Sequence, residues 1–570
     1  MNPRLMFLPL IAVLIGATQA RAAVVSVGNE PACSFGSLQQ AMAFANSNGQ
    51  DDEIRIANTM QHTHVSVEKH DADRLTIAGG YASCSSALPL AIPTVLDGSG
   101  SNAPVIRSVG GYLSLRNLQI TGGRLDGSSS SGGGVDMKAP ALGIDFRDVR
   151  ITLNSAASGG GVAIIGSPSL TIRVRAENLR IDRNDASGNG GGLFAAYANG
   201  QFSSLQVEDN RAGNDGGGIW LGNDAVFHNR TGKTRSGIFA NHAGNRGGGI
   251  AIEGGAMEMY HVAAGTDPAV ISNNSARVGG AISIFNDRPW TAAVFNGSGI
   301  NVVKNTATRE GGAIAISVIS SDSAPVFGGV HFSAVPPAVG GGGVGYCDTP
   351  RLCNVFSDNA AIDEQGSLMP GAVVAIHMKG KEADGFARFW NSTWRRNFGY
   401  DLAHSESDVA SVWAQEIQLL NTLVDDNLVE KNLINATGFG SIYVMSSTVT
   451  GNRTGSALIS GEAANYLRGS IFTDDAPLLS SVTPGTAAFN LIVANDDGLA
   501  GMPQIEKADP RFADPANHDY QLRMDSPALD REWGNSASTH DLDGEPRDVD
   551  LTYVPDFNMP RDLGCFERQF

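Results

Sequence analysis

Along the middle of the chain, apolar and polar positions follow one recurring phrase. An apolar residue, two variable residues and an asparagine are followed, five or six positions later, by a glycine pair or triplet. The phrase occurs at Ile151–Asn154 before Gly159, Ile181–Asn184 before Gly190, and Val207–Asn210 before Gly216. It returns at Ile238–Asn241 before Gly247, Ile271–Asn274 before Gly279, and Val302–Asn305 before Gly311. The asparagines stand 30, 26, 31, 33 and 31 residues apart, with fainter echoes at Asn359, Asn397, Asn427 and Asn452. Self-similarity at such a period denotes stacked units rather than independent domains. After each glycine run apolar residues alternate, as in Val162/Ile164, Leu193/Ala195, Ile219/Leu221 and Ile250/Ile252, the period of a strand with one buried face. Regular glycines and the lack of a 3.6-residue period exclude helical repeats. Glycine supplies positive φ at a tight corner, asparagine tolerates the same region, and asparagines stacked at successive corners can form an amide ladder. The pattern predicts a single-stranded parallel β-helix of roughly fifteen coils at about 4.8 Å per coil.

Such a solenoid must cover its ends. Ser37-Leu-Gln-Gln40 reads as a capping box, and Leu38, Ala41, Met42 and Ala45 share one helical face before Gly49, predicting an amphipathic helix over 34–48. The predicted organisation is a signal segment at 1–22, an N-terminal cap at 23–53, the β-helix over 54–496 and a looped C-terminal cap over 497–570.

Composition sharpens this picture. Seventy glycines and a hydrophobic content of 42% exclude a disordered chain, and no Gly-X-Y period runs through it. With 40 basic against 58 acidic residues the net charge is −18, so no phosphate-neutralising field exists and nucleic acid is not an expected partner. Arg4, the apolar run over 5–16 and Ala20-Arg21-Ala22 have the form of a secretory signal, and no later stretch is long and apolar enough to span a membrane. An exported chain permits disulfides. Cys33 with Cys84 and Cys347 with Cys353 are the candidate pairs, leaving Cys565 as a buried apolar residue. No Cys-x-x-Cys or histidine pair at ligand spacing supports a zinc site.

The apolar-x-x-Asn and Gly-Gly-Ala-Ile motifs resemble the repeats of chlamydial polymorphic outer membrane proteins and of the wider set of secreted bacterial right-handed β-helix proteins. Cys33–Met42 with Asp52-Glu-Ile54 is similar to the opening of many such chains. Asp509–Phe512, Asp519-Tyr520, Ser526–Ala528, Asp541–Arg547 and Asp562–Glu567 are similar to their ending. The resemblance implies right-handed winding and covers nearly the whole chain after the signal, but it implies little about activity. The chlamydial proteins continue into a membrane barrel. The 77 residues after Val493 lack regularly spaced alternating strands, so a secreted, cell-surface or periplasmic protein is expected.

Chemistry is faint. Asp-Asp pairs at 51–52, 425–426, 474–475 and 496–497 lack the Asn-Thr-Asp, Gly-His-Gly and Arg-Ile-Lys runs of polygalacturonase-like sites, and adjacent strand residues face opposite ways. They read as solvated turns. No Arg-x-Pro-x-x-Arg run of the pectate-lyase kind is present; Arg395-Arg396 and Lys379-Gly-Lys381 are the dense basic spots in the coils. Asp541-Leu-Asp-Gly544 opens like a calcium loop, but Thr552 stands at the twelfth position. No catalytic residue, metal site or cofactor is assigned, and calcium is expected only weakly at the surface. Phe194 and Trp220 fall on the outward phase of neighbouring coils, with Phe285 on the same phase later, and could form an exposed platform for sugar rings or a protein. Trp390 and Trp394 read as core plugs, and the loops between Ser317 and Asn354, which interrupt the repeat, are expected to carry specificity. The expected function is a non-enzymatic binding or adhesion-type protein for a glycan or extracellular protein. The alternative is a polysaccharide lyase or glycoside hydrolase.

Overall fold

The computed structural model describes residues 22–569 apart from 59, 232–235, 262–267, 322–323, 334–352, 408–415, 439, 463, 482, 484, 498, 500, 533–538 and 555–559. The signal segment, Cys347 and much of the 317–354 interruption therefore lie outside the described residues.

One coil illustrates the rest. The strand Val162–Ile165 is followed by the long strand Ile172–Asp182, which bends at Asn178, where φ is 55°. The bend divides that strand into two faces, a first half before it and a second half after it. A further corner at Arg183, also at positive φ, leads to the short strand Asp185–Ala186, and Gly190 at φ 67° returns the chain to the next coil. The strands of the coils pair in parallel with their equivalents one coil away, giving sheets of 25, 13 and 9 strands among the described residues, and Phe512–Asp514 pairs antiparallel with Asp519–Leu522 outside the coils. The chain is a parallel β-helix. A single apolar core runs up its axis from Val25 to Leu499.

Both corners have clear physical causes. A Cβ on Gly191 would lie 2.3 Å from the Arg211 carbonyl oxygen and 2.4 Å from that of Gly217, so successive coils approach too closely there for any side chain. At the other corner the left-handed residue is the one before each asparagine: Leu153, Arg183, Asp209, Ala240, Asn273 and Lys304. This corrects the expectation that the asparagine itself takes positive φ. Its side chain turns inward instead, and Asn154, Asn184, Asn210, Asn241, Asn274 and Asn305 are all buried.

They form a ladder that continues through Asn359, Asn397, Asn427 and Asn452. From Asn184 on, each side-chain oxygen accepts from both the backbone N–H and Nδ2 of the asparagine one coil earlier, at 2.9–3.1 Å. Nδ2 also donates to a carbonyl of the preceding coil, as from Asn184 to Ile151 at 3.0 Å. The ladder ends on Asp474, whose two oxygens take the same bonds from Asn452 at 2.9 Å. Burial pushes the Asp474 carboxyl up to about 6.

The capping helix, α1, spans Leu38–Ala45, shorter than the 34–48 expected. Ser37 Oγ accepts from Gln40 N, and Leu38, Ala41, Met42 and Ala45 face the core. Cys33 and Cys84 are joined by a disulfide. Cys565 is a buried free thiol that burial pushes up to about 12.

At the other end Ile505–Lys507 pairs with Leu491–Val493, and Leu499, Met502 and Ile505 cover the core. The chain then turns back along the flank of the last coils, packing Leu522, Ala528, Leu529 and Leu563 on Ile471 and Ile492. Arg547, fully buried, anchors this segment: it donates to Asn421 Oδ1 at 2.9 Å and the Gly564 carbonyl at 2.7 Å. Burial raises its neighbours Asp541 to about 6, Asp562 to about 7 and Glu567 to about 10.

Three Asp pairs also depart from the solvated-turn expectation, the first through Asp52, buried in its strand while Asp51 stays exposed. Asp425 is fully buried, held by Arg395 at 2.8–2.9 Å, and Asp474 closes the ladder, while Asp426 and Asp475 stay exposed. Strand alternation sends one member of each pair inward.

Candidate binding face

In the first half of each long strand, inward residues such as Ile144, Phe146, Val174 and Phe202 fill the core, and the residues between them point out. In-register parallel pairing sets equivalent outward residues about 4.8 Å apart. One outward column therefore reads Ser114, Asp145, Arg175, Gln201, His228, Glu258, Asn296, His331, Arg388, Gln418, Tyr443 and Tyr466, coil by coil. Beside it runs a second column of Arg116, Arg147, Glu177, Ser203, Arg230 and Tyr260. The N-terminal part of this face is a groove of about 590 Å³.

The groove contains defined polar pairs. Tyr112 Oη donates to Asp145 at 2.6 Å, and Arg74 reaches the same carboxylate at 3.1 Å while lying over the Tyr112 ring. Burial, then Asp145, pushes the Tyr112 phenol up to about 12, so it stays a donor. His228 Nδ1 lies 2.7 Å from Glu258 and 3.4 Å from Tyr260 Oη. Farther along, Trp390 Nε1 donates to Gln418 at 3.1 Å, with the His331 ring edge-on to its indole. Tyr443 and Tyr466 stack at 4.8 Å. Burial lowers the His331 imidazole. Trp394 is buried among Phe356 and Phe389, whereas Trp390 stands on the outward face as a half-exposed ring, which corrects the reading of both tryptophans as core plugs.

The aromatics singled out from the sequence lie on a different sheet, the 13-stranded one. Phe194 and Trp220 stack there in register, with centroids 4.3 Å apart and planes 4° from parallel. Trp220 is nevertheless only 5% exposed, which corrects the expectation of an open platform. Its ring lies along its own strand over Gly222, where a Cβ would meet it at 2.2 Å, and is walled by Ala196 and Ala251. Phe285 stands at another register position, opposite Glu253, under the Arg246 guanidinium at 4.1 Å. The three do not form one surface.

A relay that sequence reading missed runs from this sheet to Glu310 on the nine-stranded one. His404 Nδ1 lies 2.8 Å from the buried Asp401 and its Nε2 lies 3.1 Å from Glu406. Glu406 is 3.4 Å from His377, which in turn is 2.6 Å from Glu310. Burial alone would lower the His404 imidazole, but Asp401 and Glu406 together raise it. Among the described residues, the side chains near enough to share one metal ion are Glu30, Cys33 and Cys84, and two of these are the disulfide. Asp541 binds the backbone N–H groups of Asp543, Glu545 and Glu567, the geometry of a turn.

No family model matches the chain. A segment of 106 residues, 18% of this chain, is 29% identical to the probable outer membrane protein pmp20 of Chlamydia pneumoniae. The match spans 6% of that protein's length. No helix among the described residues is long and apolar enough to cross a membrane.

Proposed function

We propose that the chain is an exported, right-handed β-helix protein of binding or adhesion type, without enzymatic activity. Its ligand face is the outer face of the 25-stranded sheet, offered to a glycan or an extracellular protein. The observation that carries this reading is the outward column running from Ser114 to Tyr466, polar or aromatic at each register step. A merely solvated sheet has no need of tyrosines stacked in register or an indole held by a side-chain amide. The distant likeness to an outer membrane protein, the Cys33–Cys84 disulfide and the signal-like leader support display outside the cytoplasm. The overwhelming preference of parallel crossovers for one hand supports right-handed winding.

One constellation favours a second reading, a polysaccharide lyase or hydrolase: His228, oriented by Glu258, stands beside Tyr260 and the exposed Arg175 and Arg230. Incubating the purified protein with a polysaccharide panel separates the two. Bound glycan with constant reducing ends and no ultraviolet absorbance from unsaturated sugars is expected. Turnover of either kind establishes the enzyme instead.

A further inference from the structure

Four arginines line the groove beside three carboxylates, Asp145, Glu177 and Glu258, an excess of basic side chains unlike the molecule as a whole. The protein carries a net charge of −18, and many of its arginines are held by carboxylates, among them Arg150, Arg246, Arg395 and Arg561. Arg116, Arg175 and Arg230 line the groove, are exposed, and form no salt bridge among the described residues. Arg116 also stands directly beside Arg147 in the parallel register. Arg147 is paired with Glu177 at 3.1 Å, which leaves the Arg116 charge beside it without a carboxylate partner among the described residues. From Arg116 to Arg230 the register advances four coils, roughly 19 Å at about 4.8 Å per coil.

We infer that this groove binds a linear acidic polysaccharide lying along the solenoid axis, with anionic groups on successive sugars received by Arg116, Arg175 and Arg230. The inference rests on the reading of this face as the ligand face. Guanidinium forks suit carboxylate or sulfate oxygens. The neutral side chains between them, Gln201 and Ser203, match hydroxyls, and the Tyr260 ring offers an apolar edge to a sugar. A nucleic acid fits poorly, because the surrounding surface is acidic and the groove has no row of stacking rings.

The test is calorimetric titration of the full chain with polygalacturonate, dextran sulfate, neutral dextran and polyglutamate, at low and raised salt. Binding of polygalacturonate or dextran sulfate, weakened by salt and lowered about tenfold or more in the Arg175→Gln/Arg230→Gln double variant, is the expected result; which of the two binds identifies carboxylate or sulfate. Arg211→Gln, an exposed position on the nine-stranded sheet, should leave binding unchanged and serves as the control. Neutral dextran bound equally by parent and double variant overturns the acidic ligand but keeps the face as a glycan site. Polyglutamate bound as tightly as the glycans replaces the polysaccharide with an acidic polypeptide. Absence of binding to all four probes overturns the inference, and an unchanged panel result with extracellular proteins removes the binding-face reading as well.

Discussion

The buried corner and the open face belong to the same coils, yet they follow opposite rules. At the corner one residue type recurs from Asn154 to Asn452, because each rung must donate and accept at once and only a primary amide of that length does both. On the face, equivalent positions hold serine, aspartate, arginine, glutamine, histidine and glutamate in turn. Repetition there has been replaced by variety at every step, although backbone pairing is equally regular in both places. The difference teaches that in this solenoid the repeating residues build the scaffold, and the residues that break the repeat carry the chemistry.

The strongest way to break the comparison is to remove a rung. Asn241→Ala leaves the Asn210 backbone N–H and Nδ2 without their acceptor and the Val207 carbonyl without its donor. A loss of about 4 kcal/mol is expected from several buried groups left unpaired, measured by urea unfolding. A loss below about 1 kcal/mol would show the ladder to be incidental.

The buried carboxyls at the end of the ladder and on the flank give the next effect. Asp474, Asp541 and Asp562 have folded-state values raised to about 6, 6 and 7, and the unfolded chain releases these protons lower, near the ordinary carboxyl value. The folded state therefore binds more protons between about pH 4 and 7, so stability is greatest at the acid end of that window and falls as pH rises through the folded values. The raised His404 acts with the same sign above its ordinary value. The unfolding midpoint should drop steadily from pH 5 to pH 8; a rise over that interval contradicts the burial of these carboxyls.

Asp474→Asn sharpens the same point at one site. The amide can accept from Asn452 without a buried charge, so a gain of about 1–2 kcal/mol is expected at pH 8. The gain should vanish near pH 4, where the parent carboxyl is protonated; an equal gain at both pH values would point to packing instead. Smallest of all, Gln201→Ala on the open face should change stability by less than about 0.5 kcal/mol. A cost approaching that of a lost rung would mean the outer face is structural.

Legibility followed the same division. Ladder and glycine corners could be read from spacing because the constraint falls on one residue type at a fixed place. Which corner residue takes positive φ could not, since Leu153, Arg183 and Lys304 share no side-chain property; only the backbone path demands it. The outward columns were hidden for a related reason. Their members are 23 to 57 residues apart in no repeated identity, and loops of different length between coils shift the count, so neither Arg116 beside Arg147 nor the Glu310–His377–Glu406–His404 relay forms a motif. Phe194 and Trp220 were placed on the outward phase by alternation, but alternation says nothing of what lies over a ring once it is outside, and Gly222 opened the slot that buries the indole.

The ladder has one more property. All its amides are turned the same way, each with its oxygen toward the N-terminal coil and one N–H toward the next, from the oxygen of Asn154 that accepts from Gly123 to the nitrogen of Asn452 that ends on Asp474. Each amide carries a dipole of roughly 3.5 D, as a peptide unit does, so the row behaves as a string of aligned dipoles whose positive pole meets an acid. The solenoid thereby has a direction written into its side chains as well as its backbone. A coil duplicated between two asparagines inherits that direction and passes it on, whereas a coil placed beyond Asp474 meets a group with oxygens to receive and no N–H to hand forward. Growth of the amide row by duplication is open along its length and closed at Asp474, beyond which Leu491–Val493 and Ile505–Lys507 stack by backbone pairing without it.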